Sequence, residues 1–316
     1  MNTPSQSVIL FGATGTIGRA TAAALVEAGH AVTCVTRAGS DTNGLPAGVA
    51  VLDMNLDQID VSQLQGIDAV VSCLASRTGT PQDAWAIDHD AHLRILKAAQ
   101  AAGIKHFVLL SAICVQKPKL AFQKAKLAFE SALIDSGLTY SIVRPTAFFK
   151  SLSGQVDRVK NGRPFLMFGD GERTACKPIS DRDLGRYVTL CLSDPDKQNA
   201  VLPIGGPGPA LTPLMQSTLL AEVLGQPVQT RKMPLWVMDG IIGMLRIVGV
   251  FSQRARDKAE LAKIGRYYAA ESMLVLTNNG YDASRTPEFG TDTLADHYRA
   301  LVAGDVAADL GDHAVF

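Results

Sequence analysis

Ser7-Val8-Ile9-Leu10-Phe11-Gly12-Ala13-Thr14-Gly15-Thr16-Ile17-Gly18 is the stretch whose reading decides the fold. Its first half is an unbroken apolar run with β-branched members, as in a strand buried on both faces. The helix-forming segment Ile17–Ala28 continues from the last glycines without a break. Glycines at this junction permit a tight turn and close backbone approach, and the helix N-terminus offers unpaired N–H groups to a diphosphate. A structural glycine turn in an unrelated α/β protein is the competing reading, and the strand before and helix after are what make the dinucleotide reading specific.

Outward from this unit, short β-branched runs alternate with longer Ala- and Leu-rich segments. Ser7–Phe11, Ala31–Thr36, Val49–Leu52, Ala69–Cys73, Phe107–Ser111 and Tyr140–Val143 read as strands, and Ile17–Ala28, Gln82–Ala102 and Pro118–Ser136 as helices. Right-handed crossovers then predict an α/β protein with a Rossmann-like doubly wound parallel sheet. After Arg144-Pro145 the pattern turns irregular, with clusters at Gly169–Gly171 and Gly205–Pro209. Residues 1–150 therefore read as an NADP-binding Rossmann domain and 151–316 as a smaller C-terminal substrate-binding lobe containing a helix at Thr212–Leu224. Residues 177–205 are expected to return to the first domain, with Val201–Ile204 as a strand.

Of 316 residues 47% are hydrophobic, enough for a large core, and 30 basic side chains balance 30 acidic ones. With no basic tract, nucleic acid is not an expected partner. Five cysteines without paired spacing argue against zinc, iron–sulfur or disulfide frameworks and suit a reducing, cytoplasmic compartment. The polar Met1 to Ser7 segment runs straight into a strand, so no targeting peptide is expected. Pro234 to Phe251 is apolar but interrupted by Asp239, Arg246 and glycines, and it is at the short limit of the roughly 18 to 20 residues a bilayer requires. It reads as a buried or surface-lying helix.

Gly12, Thr14, Gly15, Thr16, Ile17 and Gly18 are the candidate diphosphate cradle. The second strand ends Val35-Thr36-Arg37, where an NAD-binding chain would carry an acid for the ribose hydroxyls. Arg37 instead suits a 2′-phosphate and predicts NADPH, the alternative being a solvated arginine. Asp53 is placed to accept from the adenine amino group, or else serves a turn, with Met54 beside the ring. Leu74 and Ala75 after the fourth strand are expected to line the ribose, and Pro145 and Thr146 after the sixth complete the set. Ser111 ends the fifth strand and is either a site residue facing the nicotinamide or ordinary turn chemistry. Lys126 follows Phe122 by one helical turn, so the two share a face.

This arrangement resembles the short-chain reductases, which carry tyrosine and lysine at the positions of Phe122 and Lys126. In that reading Lys126 bonds the nicotinamide ribose, a surface lysine being the alternative, and the phenolic acid is missing. Three further runs are more specific: Ser111-Ala112-Ile113-Cys114-Val115-Gln116-Lys117-Pro118 with Phe122-Gln123-Lys124-Ala125-Lys126-Leu127-Ala128-Phe129-Glu130; Arg144 to Leu152; and Tyr267-Tyr268-Ala269-Ala270-Glu271-Ser272-Met273-Leu274, followed by Thr286 to Gly290. Over nearly the whole chain these resemble the 3,8-divinyl chlorophyllide 8-vinyl reductases of chlorophyll and bacteriochlorophyll biosynthesis. The resemblance implies NADPH as donor, a magnesium-chelated divinyl tetrapyrrole as small-molecule substrate, and reduction of the 8-vinyl group to ethyl. Lack of a plant-type plastid extension suggests a bacterial member.

Hydride addition to a conjugated vinyl group creates no localised alkoxide, so Phe122 is expected to wall the flat substrate while Lys126 and Ser111 position the nicotinamide. The proton comes from water, Tyr267, Tyr268 or Lys117; packing in the second lobe is the other reading of the tyrosine pair. Leu235–Phe251 is expected to be buried between lobes, or to cover the macrocycle or touch a membrane surface. His89, His92, His106, His297 and His313 lack metal-ligand spacing and read as surface or capping residues, with His30 closing a helix. Competing functions are another atypical short-chain reductase, acting on a flavonoid, quinone or nucleotide sugar, and a non-catalytic NADPH sensor.

Overall fold

The computed structural model describes residues 5–305, so His313 lies outside the described residues. Strand β1 (Ser7–Phe11) enters the core with Val8, Ile9 and Leu10 fully buried. It pairs in parallel with β2 (Ala31–Thr36), which pairs with β3 (Ala50–Asp53), and on its other edge with β4 (Ala69–Ser72). Beyond β4 come β5 (His106–Leu110) and β6 (Thr139–Pro145). The chain then leaves the sheet, forms β7 (Phe165–Phe168) elsewhere, and returns as β8 (Ala200–Ile204) beside β6. The order β3-β2-β1-β4-β5-β6-β8 is that of a doubly wound sheet, whose reversal between β1 and β4 opens a crevice at the strands' carboxyl ends. The registers Phe11↔Val35, Phe11↔Ser72 and Leu110↔Val143 bring Gly12, Arg37, Leu74, Ser111 and Thr146 to that one edge.

Helix α1 (Thr16–Glu27) covers one face. On the other, α2 (Pro81–Ala84) runs through a π-helical segment, Trp85–Ala91, into α3 (His92–Ala101), and α4 (Ala121–Ile134) packs beside them. The single α-helix expected over Gln82–Ala102 is thus corrected: the widened turns rotate Asp88 inward, where it is buried. The helix expected at Pro118 starts instead at Ala121, because Leu120 is extended and the Gln123 side chain accepts from the N–H groups of Lys119 and Leu120. His92 and His106, expected at the surface or at caps, are buried. His92 donates from Nδ1 to the Ile87 carbonyl at 2.8 Å and accepts from Ser72, and burial brings its pKa down to about 4, so it is a neutral strut within the π-helical turns.

After β6 come α5 (Phe149–Leu152) and α6 (Val156–Lys160), then α7 (Asp181–Leu190), which packs on α1 so closely that a Cβ on Gly185 would lie 2.7 Å from the Ala20 backbone. A second core gathers Phe149, Phe165, Leu220 and Tyr298 from α5, β7, α8 (Pro213–Leu224) and, later in the chain, a terminal helix. Strand β9 (Thr230–Met233) pairs in parallel with β7. Helices α9 (Leu235–Gly249) and α10 (Gln253–Tyr268) form a hairpin tied by Arg266 to Asp239 at 2.8 Å. The short antiparallel pair β10 (Val275–Thr277) and β11 (Gly280–Asp282) precedes the terminal helix α11 (Leu294–Ala303).

Burial of α9 between lobes is not what is found. Met238, Ile242 and Gly249 are its buried residues, whereas Trp236, Ile247 and, just beyond, Phe251 are 71%, 72% and 92% exposed. An all-round apolar composition specifies that a helix has a partner face somewhere, not which face the fold covers. Among the described residues, no helix is long and apolar enough to cross a membrane.

Candidate active site

Two of the three loop glycines are demanded by the protein itself. Gly12 has φ +75°, and a Cβ there would sit 2.6 Å from the backbone of Cys73 and Leu74 at the end of β4. A Cβ on Gly18 would fall 2.0 Å from the Gly12 carbonyl oxygen. Gly15 differs: its φ of −73° suits any residue, and a Cβ would make only an ordinary 3.5 Å contact. Its lack of a side chain is therefore unexplained by packing and fits a ligand approaching from outside. Gly15 also caps α1 without any side-chain bond, and the first turn holds no acid, leaving the helix N-terminus available to an anion. Thr14 and Ile17 flank this opening, half-buried.

At the far end of the crevice Arg37 is exposed just past β2. The neighbouring Asp53 accepts from the Thr36 hydroxyl, which orients its carboxylate at the end of β3. Met54 is buried in the core under the sheet, while Leu74 is half-buried and Ala75 exposed after β4. Pro145 ends β6 against Ile204, and the Thr146 hydroxyl donates to the Lys177 carbonyl, so Thr146 locks the end of β6 to the following segment.

Helix α4 presents Phe122, Lys126 and Glu130 at successive turns on one face. Lys126 is 9% exposed, and its ammonium lies 3.0 Å from Asp88 Oδ1. Asp88 accepts also from the Ser76 N–H at 3.2 Å, and its other oxygen, Oδ2, is buried without a partner. Glu130 receives the hydroxyl of Ser111 on one oxygen and Arg144 as a two-point donor. Ser111 and Lys126 are therefore brought to adjacent positions, but the Ser111 proton is committed to Glu130. Phe122 packs with Leu120 and Cys114 against Ile264 and Tyr267 of α10, so α10 supplies one wall of this region.

The proton-donor candidates are placed unequally. Tyr267 is buried, and its hydroxyl bonds the carbonyl oxygens of Cys114 at 2.9 Å and Lys117 at 3.1 Å; burial and the Cys114 thiol push its pKa above the usual phenol range. Tyr268 is partly exposed beside it, with its hydroxyl 3.9 Å from Cys114 Sγ. Lys117 is ion-paired at 2.7 Å to Glu271, which also accepts from Lys119 and Tyr281. Burial alone would raise the Glu271 carboxyl, but these bonds outweigh it and bring it down to about 2.

Sequence reasoning missed Asp88, Glu130 and Lys150. Glu130 was within reach, being four residues beyond Lys126 on the same face. Asp88 was not, since α-helical periodicity does not place it beneath Lys126 once the turns widen. Lys150 of α5 reaches the glycine loop, donating to Thr16 Oγ1 at 2.9 Å.

Residues 12–195 match a family model described as NAD(P)H-binding. Two curated relatives are similar over essentially the whole chain. The chloroplastic divinyl chlorophyllide a 8-vinyl-reductase of Cucumis sativus is 47% identical, covering 100% of this chain and 81% of the relative. That of Arabidopsis thaliana is 45% identical, covering 97% and 79%. Among solved structures, the NADPH-dependent quinone oxidoreductase QOR2 of Escherichia coli, complexed with NADPH, superposes with a TM-score of 0.69 at 19% identity, covering 93% of this chain and 99% of that one. That likeness shows the shared fold.

Proposed function

The chain belongs to the divinyl chlorophyllide a 8-vinyl-reductase family with an NAD(P)H-binding fold, and from that premise we propose that it uses NADPH to reduce the 8-vinyl group of a magnesium divinyl tetrapyrrole to ethyl. The cofactor supplies the hydride when bound. Gly12, Thr14, Gly15, Thr16, Ile17 and Gly18 form the diphosphate cradle in this reading, with Arg37 on the 2′-phosphate and Asp53 at the adenine. Leu74, Ala75, Pro145 and Thr146 line the crevice, and Lys126 holds the nicotinamide ribose. Residues 1–150 with 177–205 carry the dinucleotide, and the rest of the chain carries the substrate.

The observation that carries the proposal is Phe122, one turn from Lys126. A ketone reductase without a phenol there forfeits a general-acid factor of roughly 10² to 10⁴. Addition to a conjugated vinyl group leaves its charge spread over the macrocycle, so an apolar ring costs this reaction little and offers the flat substrate a surface. Tyr267, with its proton bonded to backbone carbonyls, is a poor donor to substrate, which favours water, Tyr268 or Lys117.

Incubation with NADPH and divinyl chlorophyllide is expected to blue-shift the Soret band as the conjugated vinyl group is lost. Phe122→Tyr should bring no rate gain with that substrate; a large one would count against the role given to Phe122. Tight NADPH binding with no spectral shift would favour a non-catalytic sensor.

The exposed apolar face of α9 supports contact with a membrane surface. Trp236, Met244, Ile247 and Phe251 face outward, and Arg231, Lys232, Arg246 and Arg254 are exposed around them. Flotation with anionic liposomes, weakened by Trp236→Ser with Phe251→Ser, is the expected result; equal flotation of both proteins would remove α9 from the contact.

A further inference from the structure

We propose that Lys119, held in place with Lys117 by Glu271, receives the free propionate carboxylate of the substrate. This rests on the reading of the chain as a chlorophyllide reductase and concerns the end of the substrate remote from the reacting vinyl group. Its basis is an ion cluster whose charges do not balance. Lys117 lies 2.7 Å and Lys119 2.5 Å from the two oxygens of Glu271, and the Tyr281 hydroxyl donates to the same carboxylate at 2.9 Å. Two ammonium groups against one carboxylate leave one positive charge. Glu271 is buried, which opposes its ionisation, but the three bonds keep it charged at neutral pH. Its oxygens are thus occupied from within the protein, whereas the Lys119 side chain is 55% exposed and its ammonium has donors left for an anion arriving from solvent.

The cluster is fixed by the backbone around it. Gln116 donates to the Leu274 carbonyl at 3.1 Å and accepts from the Leu276 N–H at 2.9 Å, and Tyr267 donates to the Lys117 carbonyl at 3.1 Å. The Lys119 N–H donates to the Gln123 side chain at 2.8 Å. Lys119 precedes Phe122 by three residues and Lys126 follows it by four, so the three stand in line at and just before the start of α4. At the helical rise, roughly 10 Å separates Lys119 from Lys126. In a divinyl chlorophyllide the 8-vinyl group and the propionate are carried by opposite pyrrole rings. A macrocycle laid on Phe122 with its vinyl group toward Lys126 therefore extends its carboxylate toward Lys119.

The methyl ester of divinyl chlorophyllide a keeps the macrocycle and the vinyl group but removes the charge. With NADPH and the wild-type protein, the ester is expected to show a KM about tenfold above that of the free acid and a kcat within about twofold, as for loss of one charged contact made equally in ground and transition states. Lys119→Met should raise the KM for the free acid by a similar factor. Because the ester has already lost the contact, the same substitution should not raise the ester's KM further. Lys119→Arg should retain most of the preference for the free acid, and added salt should narrow that preference in the wild type. Lys119 rather than Lys117 is substituted because Lys117 is also a candidate proton donor. Equal KM values for acid and ester in the wild type would overturn the proposal. So would a Lys119→Met loss shared equally by both substrates, the mark of a structural tether, with thermal unfolding as the check on folding. Reduction of neither substrate by wild-type protein that binds NADPH would overturn the functional reading itself.

Discussion

Lys126→Met is expected to destabilise the protein by about 3–5 kcal/mol and to lower turnover about a hundredfold or more. The stability loss follows from Asp88, whose side chain is 0% exposed and whose charged partner is the Lys126 ammonium at 3.0 Å. Without that ammonium, Asp88 keeps the Ser76 N–H, while Oδ2 already lacks a partner. A carboxylate left so in the interior is costly whether it stays charged or takes up a proton. Adding Asp88→Asn removes the stranded charge, so the double variant should recover much of the stability in urea unfolding at neutral pH. Its turnover should stay low, because the group proposed to hold the nicotinamide ribose is still absent. A single variant as stable as the wild type would show that the pair is not closed as described; recovery of turnover in the double variant would take Lys126 out of the site.

The second large effect separates the loop glycines. Gly18→Ala places a methyl 2.0 Å from the Gly12 carbonyl, backbone against backbone, and the turn has to open. We expect a loss of about 2–4 kcal/mol and cofactor binding too weak to measure at ordinary concentrations. Gly15→Ala should leave stability within about 0.5 kcal/mol, since φ is −73° and the new methyl meets the protein only at 3.5 Å. Cofactor affinity should nonetheless fall more than about tenfold, because the methyl projects from the N-cap toward the space proposed for the diphosphate. Unchanged NADPH affinity in Gly15→Ala would mean that no ligand approaches the loop from that side. Calorimetric titration with thermal unfolding distinguishes the two variants.

The legible parts of the molecule were those whose determinants are local. β1 and β2 have the bounds read from their apolar runs, and the loop between β1 and α1 is where its glycines placed it. The shared face of Phe122 and Lys126 follows from helical spacing alone. Ser111 was placed correctly at the end of its strand, yet its acceptor, Glu130, belongs to the next helix, and the strand could not reveal where the hydroxyl would turn. For α9 the composition was read correctly and the burial was not, because exposure depends on which elements the tertiary fold packs against the helix. The parallel pairing of β7 with β9 left no trace in periodicity, since their ladder joins segments separated by α7, β8 and α8.

By itself, then, the sequence determined the strand–loop–helix unit, the alternation that becomes a doubly wound sheet, and the placing of a phenyl ring, Phe122, one helical turn from Lys126. Backbone φ preferences, side-chain periodicity and the presence or absence of a proton on a ring act within a few residues and need no fold to be read. Tertiary structure alone decided that Asp88 lies beneath Lys126 and that Lys150, 134 residues from Thr16, reaches back over the glycine loop. Those contacts arise from π-helical turns and from the bridge that anchors Phe148, just before α5, to Ile179, and electrostatic pairing between distant segments exists only after packing has brought them together.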